Sequence, residues 1–280
     1  MTATNRVNLT FIAVVHLLAG WTAIELFCGN ISRGSIVLAA AWYCVCGLSI
    51  TAGYHRLYAH RAYNATPILR VLFLIGGAAS FQGSVISWAR EHRFHHAHTD
   101  RLGDPHNVKQ GLFWAHMGWI SARDTKPTDG VEDIVLDPLA RWHNEHLVLI
   151  GITFGMAAPA AIGTMWHDPL GALFMCGFLR LALQWHATWS INSIAHSVGR
   201  KPYYEESSAR DSFPLSLITF GEGYHNYHHR FPRDYRNGSR LYHYDPTKWF
   251  IVLSAQCGLA SRLRRVPLVR VRATVRARRR

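Results

Sequence analysis

Long apolar runs alternate with polar, histidine-bearing stretches along this 280-residue chain. Four runs approach the roughly 20 apolar residues that a helix needs to cross about 30 Å of hydrocarbon. They are Leu9–Cys28, Ser35–Gly53, Leu147–Trp166 and Pro169–Ile191. A short Gly/Asn/Ser turn joins the first two and His167-Asp168 joins the last two, so the pattern predicts two helical hairpins. The first run is too long for a cleavable signal peptide and lacks a small-residue exit site, so it is expected to remain as a span. A fifth stretch, Pro67–Trp88, is uninterrupted only from Val71 to Ala79. It is expected to lie on, or dip into, the membrane interface without crossing.

Composition agrees with a membrane setting. Charged residues make up 17% of the chain, against roughly a quarter in soluble domains. An aromatic share of 12% excludes disorder. Cys28, Cys44, Cys46, Cys176 and Cys257 lie in or beside apolar segments with no CxxC spacing, which predicts buried thiols in a reduced compartment and excludes a disulfide scaffold. The formal net charge is +13 and its placement is informative. Residues 54–146 hold ten Lys/Arg and residues 197–280 hold seventeen, while the two turns inside the hairpins hold only Arg33. The positive-inside rule then puts both large polar segments and the N-terminus in the cytoplasm. The tail 262–280 carries nine Arg and is expected to lie against anionic membrane lipid; nucleic acid is not the expected partner. With no repeats or Gly/Ser linkers, residues 1–280 read as one all-α integral membrane domain. Its expected parts are four transmembrane helices, an interfacial helix and a cytoplasmic helical cap.

Half of the eighteen His fall into four tight groups: His55 with His60; His92, His95 and His96; His196 with Asn192; and His225, His228 and His229. In HxxHH the first His lies three and four positions from the others, on one helix face, and the adjacent pair diverges by about 100° so that it can serve neighbouring metals. His55 and His60, five apart, fit an ideal helix poorly, so the second span is expected to end or loosen between them. Nine imidazoles exceed the about four to six ligands of one ion and suit two, with Asn192 reaching through water. The groups share one site only if each intervening stretch crosses the membrane an even number of times, which again requires 67–88 not to cross. His16, His116, His143, His146, His167, His186 and His243 read as surface or core histidines. His98 and His106 follow the second group and are candidates to orient its ligands, as are Glu91, Asp100, Asp104 and Glu222.

Two redox metals at a membrane suggest dioxygen activation on a lipid-like chain. Taking hydrogen from an unactivated methylene needs a redox metal; iron qualifies and zinc does not. At these residues the chain resembles the membrane fatty acyl desaturases, of the stearoyl-CoA Δ9 type with bacterial acyl-lipid features. The matches are GYHRLYAHR at 53–61, WAREHRFHH at 88–96, DPHN at 104–107, NSIAH at 192–196 and GEGYHNYHH at 221–229. The resemblance spans roughly residues 35 to 260. It implies two iron ions held by His55, His60, His92, His95, His96, His196, His225, His228 and His229, with Asn192 through water. It also implies O2 as co-substrate and insertion of a cis double bond into a C16–C18 acyl thioester. Gln82, Trp88, Thr188 and Trp189 match residues lining the bend of the acyl tunnel, and Tyr43 matches the Tyr that closes it. Arg90, Trp119 and Arg123 match positions near the acyl-CoA head group. Gly83 and Asp124 stand where animal members carry a polar Asn and a Lys, and ARDS at 209–212, YRNG at 235–238 and DPTKW at 245–249 resemble the bacterial acyl-lipid enzymes more closely. An acyl-lipid or acyl-carrier-protein ester therefore stands beside acyl-CoA as carrier, and a bacterial inner membrane is the expected location. No HPGG haem-attachment motif occurs, so a separate electron donor is expected: a ferredoxin, a rubredoxin or a b-type cytochrome. A di-iron hydroxylase and a non-catalytic haem- or metal-carrying membrane protein are the competing readings; the extended resemblance favours dehydrogenation.

Overall fold

The computed structural model describes residues 3–122 and 129–278. The chain opens with α1 (Ala3–Phe27) and α2 (Arg33–Ala59). Asp168 fastens the turn between them to the turn of the second hairpin: its side chain accepts from Ser32 N and Ser35 Oγ, and also from Gly171 N at the start of the following helix. From Ser49 to Ala59 α2 widens into a π-helix, and all eleven residues of that segment are buried. A two-residue strand β1 (Asn64–Ala65) then pairs antiparallel with β2 (Ala260–Ser261). This ladder departs from the expected all-α fold, as do isolated bridges of Asp211 to Arg200 and Tyr224, and it fastens the C-terminal region beside the end of α2.

Helix α3 (Pro67–Ala78) starts from a Thr66 cap and presses closely on α2. An added Cβ at Gly53 would meet Phe73 at 2.7 Å, and one at Gly76 would meet Ser49 Oγ at 2.2 Å. Small residues here let two backbones approach as they do in membrane bundles. At 12 residues α3 is about 18 Å long, too short to cross. The turn 79–84 follows, with Phe81 and Gly83 both at positive φ, and leads into α4 (Val85–His98), capped by Ser84. Backbone polar groups in apolar surroundings need partners. Ala79 O accepts from Arg180 Nη1 and Ser80 O accepts from Trp185 Nε1, while Ser80 Oγ accepts from Gln184 Nε2.

The short helices α5 (Leu112–His116) and α6 (Pro138–Glu145) precede α7 (Leu147–Trp166) and α8 (residues 169–193, continuous through a π-turn at Met175–Leu179). Among the described residues, three helices are long and apolar enough to cross a membrane: Asn5–Phe27, Arg33–Ala59 and Leu147–Trp166. The fourth expected span, α8, carries Arg180, Gln184 and His186 within its length, and Arg180 and Gln184 are buried on the turn just described. Over the ends of α2 and α4 lie α9 (Phe213–Ile218), α10 (His225–Arg230) and α11 (Pro246–Gln256), and α12 (Leu268–Arg278) packs through Val271 on Tyr203, Tyr227 and Phe231. A core of Tyr54, Phe73, Leu74, Val85, Tyr235 and Ile251 joins α2, α3, α4 and α11. The expectation of five buried cysteines is corrected: Cys46 and Cys176 are buried, whereas Cys28, Cys44 and Cys257 are exposed on the outer surface. In a membrane protein an apolar side chain can face outward without cost.

Candidate metal centre

The π-helix resolves the awkward spacing of the first histidine group. Its hydrogen bonds close over five residues, as in His60 N to His55 O at 3.1 Å, so residues five apart come onto one side. The span therefore loosens through His55, as expected, and ends at Ala59, with His60 as its cap. His92, His95 and His96 project from α4, and His225, His228 and His229 from α10; His196 ends the single turn that follows α8.

Nitrogens from these elements converge in two sets. His55, His60, His92 and His228 form the first; His95, His196, His225 and His229 form the second. Within the first, Nε2 of His55 lies 3.1 Å from that of His228, and Nε2 of His60 lies 2.7 Å from that of His92. Within the second, His225 Nε2 is 3.0 Å from His196 Nε2 and 3.1 Å from His229 Nε2. His96 stands between the sets, its Nε2 2.9 Å from that of His228 and its ring stacked on His229 at 4.3 Å. Adjacent members of each HxxHH motif thus part company as the helix geometry requires: His228 joins one set and His229 the other. Two nitrogens about 2.1 Å from a shared ion and at right angles to each other lie about 3 Å apart. The observed spacings fit that arrangement, and an all-imidazole donor set fits a first-row transition metal such as iron.

The outer nitrogens are held by the protein. His55 Nδ1 is 2.9 Å from Glu222 Oε2, and His95 Nδ1 is 2.8 Å from Asp104 Oδ1. His196 Nδ1 is 2.6 Å from Ser208 Oγ, and Ser208 N donates to Asp100 Oδ2. Burial favours the neutral forms of His60, His92, His96, His196, His225, His228 and His229, and neighbouring imidazoles add to this, so all seven are held well below the ordinary histidine value. Neutral imidazole is the form that ligates a metal. Burial alone would raise the Glu222 and Asp104 carboxyls, but His55 with Arg56, and His95 with backbone N–H groups, hold them below the carboxylate norm.

Some of this support was not read from the sequence. Arg56 lies fully buried between Glu222 (Nη2 to Oε1, 2.9 Å) and Asp245 (Nη2 to Oδ1, 3.0 Å), and Asn237 Nδ2 also donates to Glu222. Asp245 further accepts from the backbone N–H of Asn237, Gly238 and Lys248. The signal available was Asp245-Pro at a helix start. His106 is buried beside His95 and Asp104, whereas His98 Nδ1 is occupied by Phe94 O of its own helix. Three histidines read as unremarkable form a row, His16 Nε2 to His186 Nε2 at 3.0 Å and His186 Nδ1 to His116 Nε2 at 2.9 Å.

Two cavities meet at the histidines. One of about 270 Å³ is lined by Gln82, Gly83, Glu91, Trp119 and Trp189, the other, of about 60 Å³, by Tyr43, Gly47, Ile218 and Phe220. Trp88, His92, Thr188 and Asn192 line both. At the junction Gln82 Nε2 donates to Thr188 Oγ1 at 3.0 Å, and Gln82 Oε1 accepts from Trp88 Nε1 at 3.4 Å. Trp88 in turn stacks on His92 at 4.9 Å. In the wall of the smaller cavity Tyr43 OH donates to Ile218 O, and the Tyr43 ring lies 5.6 Å from Phe220. Arg90 is half-buried, 3.8 Å from Glu91; Trp119 lies edge-on to His106 at 4.4 Å. Arg123 and Asp124 lie outside the described residues.

The fatty acid desaturase family model matches residues 34–258. The chain belongs to the fatty acid desaturase family. In line with this, it is an integral membrane protein whose histidine clusters are consistent with a metal site typical of desaturases. It is similar to a probable acyl-CoA desaturase of Schizosaccharomyces pombe, 42% identical over 246 residues, covering 86% of this chain and 51% of that protein. It is also similar to acyl-CoA desaturase 1 of Saccharomyces cerevisiae, 41% identical over 228 residues, covering 80% of this chain and 45% of that one. The Delta(9)-fatty-acid desaturase fat-7 of Caenorhabditis elegans is 35% identical over 260 residues, covering 90% and 77%. This desaturase-family chain spans about half the length of the two yeast relatives.

Proposed function

We propose that this chain is an O2-dependent acyl desaturase that places a cis double bond, at Δ9, in a saturated C16–C18 acyl-CoA. The observation that carries the reading is the meeting of two histidine sets with a pair of cavities at Trp88, His92, Thr188 and Asn192. The names of the yeast and nematode relatives favour acyl-CoA and Δ9. The nine histidines would hold two irons, with Asn192 reaching one through water. Iron bound there supplies the redox power to use O2 against an unactivated methylene pair. The remaining roles fall to the protein. Gln82, Thr188, Trp88 and Trp189 shape the bend that selects which carbon pair faces the histidines, and Tyr43 stops the methyl end. Arg90, Trp119 and Arg123 meet the head group. Glu222 and Asp104 keep the imidazoles in the tautomer that offers Nε2, and Glu91 lies on the cavity wall near them. In the membrane we place α1, α2, α7 and α8 as two hairpins, with α3 re-entrant and the cap, both termini and the site in the cytoplasm. A separate donor brings the electrons.

Lipid profiling after expression tests this, with double-bond localisation by mass spectrometry and repetition in vitro on CoA, carrier-protein and glycerolipid esters. A Δ9 alkene formed on stearoyl-CoA is the expected product. Hydroxylated chains without new alkenes would overturn the reaction, and turnover confined to the other esters would overturn the carrier.

A further inference from the structure

After its last histidine group the chain presents charge of one sign. From His225 to Arg278 the only carboxylates are Asp234 and Asp245, both buried in ion pairs with Arg236 and Arg56. Apart from the buried Arg236, guanidiniums of the same stretch point outward: Arg230, Arg233, Arg262, Arg264, Arg265, Arg270, Arg272 and Arg276 are exposed. They divide between two places. Arg262, Arg264 and Arg265 follow β2, next to β1 and the end of α2, where Arg264 N donates to Ala62 O. Helix α12 lies elsewhere. Its Val271, with Val266 and Val275, packs on Tyr203, Tyr227 and Phe231.

Tyr227 occupies the side of α10 opposite the one that presents His225, His228 and His229, and Phe231, just past the helix end, packs against it. Helix α10 therefore stands between α12 and the ends of α2 and α4. One helix diameter, about 10 Å, separates the packed side of α12 from the histidine sets. The intervening layer is aromatic, with Tyr227 and Phe231 rings 5.1 Å apart. Position distinguishes the two groups of arginines: those after β2 lie beside β1 and the end of α2, and those on α12 are carried by a helix packed on Tyr203, Tyr227 and Phe231.

We propose that α12, with Arg230 and Arg233, is the docking face for an acidic one-electron carrier protein, which passes its electrons across the Tyr227–Phe231 side of α10. This rests on the desaturase reading, whose balance is –CH2–CH2– + O2 + 2 e⁻ + 2 H⁺ → –CH=CH– + 2 H2O. Two reduced carriers are oxidised by one electron each. O2 takes up those two electrons and two more from the acyl C–H bonds, with two hydrogens from the chain and two protons from water. The loop bearing Tyr203 exposes two carboxylates, Glu205 and Glu206, against five exposed guanidiniums of the face. The net field is positive and steers an acidic partner, with a rate that falls as salt screens it.

The test reads binding without turnover, so its outcome is separate from whether the chain desaturates. The full chain is placed in neutral phosphatidylcholine nanodiscs. Binding of a plant-type [2Fe–2S] ferredoxin and of the soluble domain of an acidic b-type cytochrome is measured by surface plasmon resonance at low and physiological ionic strength. At least one carrier is expected to bind and to weaken with salt. Arg272→Glu with Arg276→Glu should weaken it roughly tenfold or more, while Arg262→Glu with Arg265→Glu leaves it within about twofold. Unfolding temperatures and hydrogen exchange show that the variants are folded. Equal binding by the α12 variant, or no binding of either carrier, overturns the proposal. So does protection of α12 amides by phosphatidylglycerol discs with none from the carrier, which assigns the face to lipid.

Discussion

Glu222 holds His55 Nδ1 with one carboxylate oxygen, at 2.9 Å, and Arg56, the next residue in the chain, with the other. One buried acid thus fixes both an imidazole of the first histidine set and the guanidinium beside it. Asp245 holds the same guanidinium from a third segment. Glu222→Gln keeps the shape and removes the charge. Bound iron or turnover should fall by about 10–100-fold, measured as iron per protein and alkene per hour. Wild-type values for both would remove the orienting role. Glu222→Ala should also destabilise the protein, by about 3–5 kcal/mol, because Arg56 loses a buried partner.

Replacing any one of His92, His96, His225 or His229 by Ala should abolish alkene formation while the protein still inserts in the membrane. His96 is the most informative, since it stands between the two sets and its loss should lower iron content at both. Metal analysis of purified variants decides; an active His96→Ala variant with full iron would exclude His96 from the site.

Tyr43→Ala removes both the ring against Phe220 and the hydroxyl on Ile218 O. The smaller cavity should lengthen and the preferred substrate should gain carbons. Competition between acyl-CoAs of increasing length, read by gas chromatography, checks this; an unchanged preference rules Tyr43 out as the floor.

Thr188→Val is nearly isosteric but leaves Gln82 Nε2 without its acceptor. Gln82 also accepts from Trp88, which stacks on His92, so the change loosens the junction of the two cavities. Turnover should drop severalfold, by about 1 kcal/mol or more per lost hydrogen bond, with minor positional isomers of the double bond. Stability should hardly change. A single isomer at wild-type rate would count against the bend assignment.

His143 gives a pH dependence. Burial pushes its imidazole down to about 4, and its Nδ1 accepts from Val85 N at the start of α4. Between the unfolded value of about 6.5 and about 4, the unfolded chain binds a proton at this site and the folded one does not. Its contribution to stability is therefore complete above about pH 6.5 and declines as pH falls toward 4. His143→Gln can still accept from Val85 N but cannot be protonated. The variant's unfolding temperature in detergent should fall less between pH 7 and pH 5, and parallel curves for the two proteins would refute this.

Features that depend on local spacing were legible in the sequence. HxxHH on a helix dictates a shared face with a diverging pair, and the structure sends His228 and His229 to different sets accordingly. The five-residue gap between His55 and His60 signalled a loosened helix, although not its form. Asp104 and Glu222, named from the sequence as candidates to orient the histidines, contact His95 and His55. Partners set by tertiary contact were not legible. Arg56 and Asp245 are 189 residues apart, and no periodicity joins them. The β1–β2 ladder, two residues per strand, is below any alternation signal. The row of His16, His186 and His116 comes from three elements, in each of which a single histidine carries no pattern.

The wide winding of Ser49–Ala59 also makes this part of the chain intolerant of changes in length. Side-chain swaps there need only fit their neighbours. One residue inserted or deleted between His55 and His60 would turn one ring away from the other and shift everything beyond it along the axis. Relatives that drift freely in composition across this stretch should still keep its residue count.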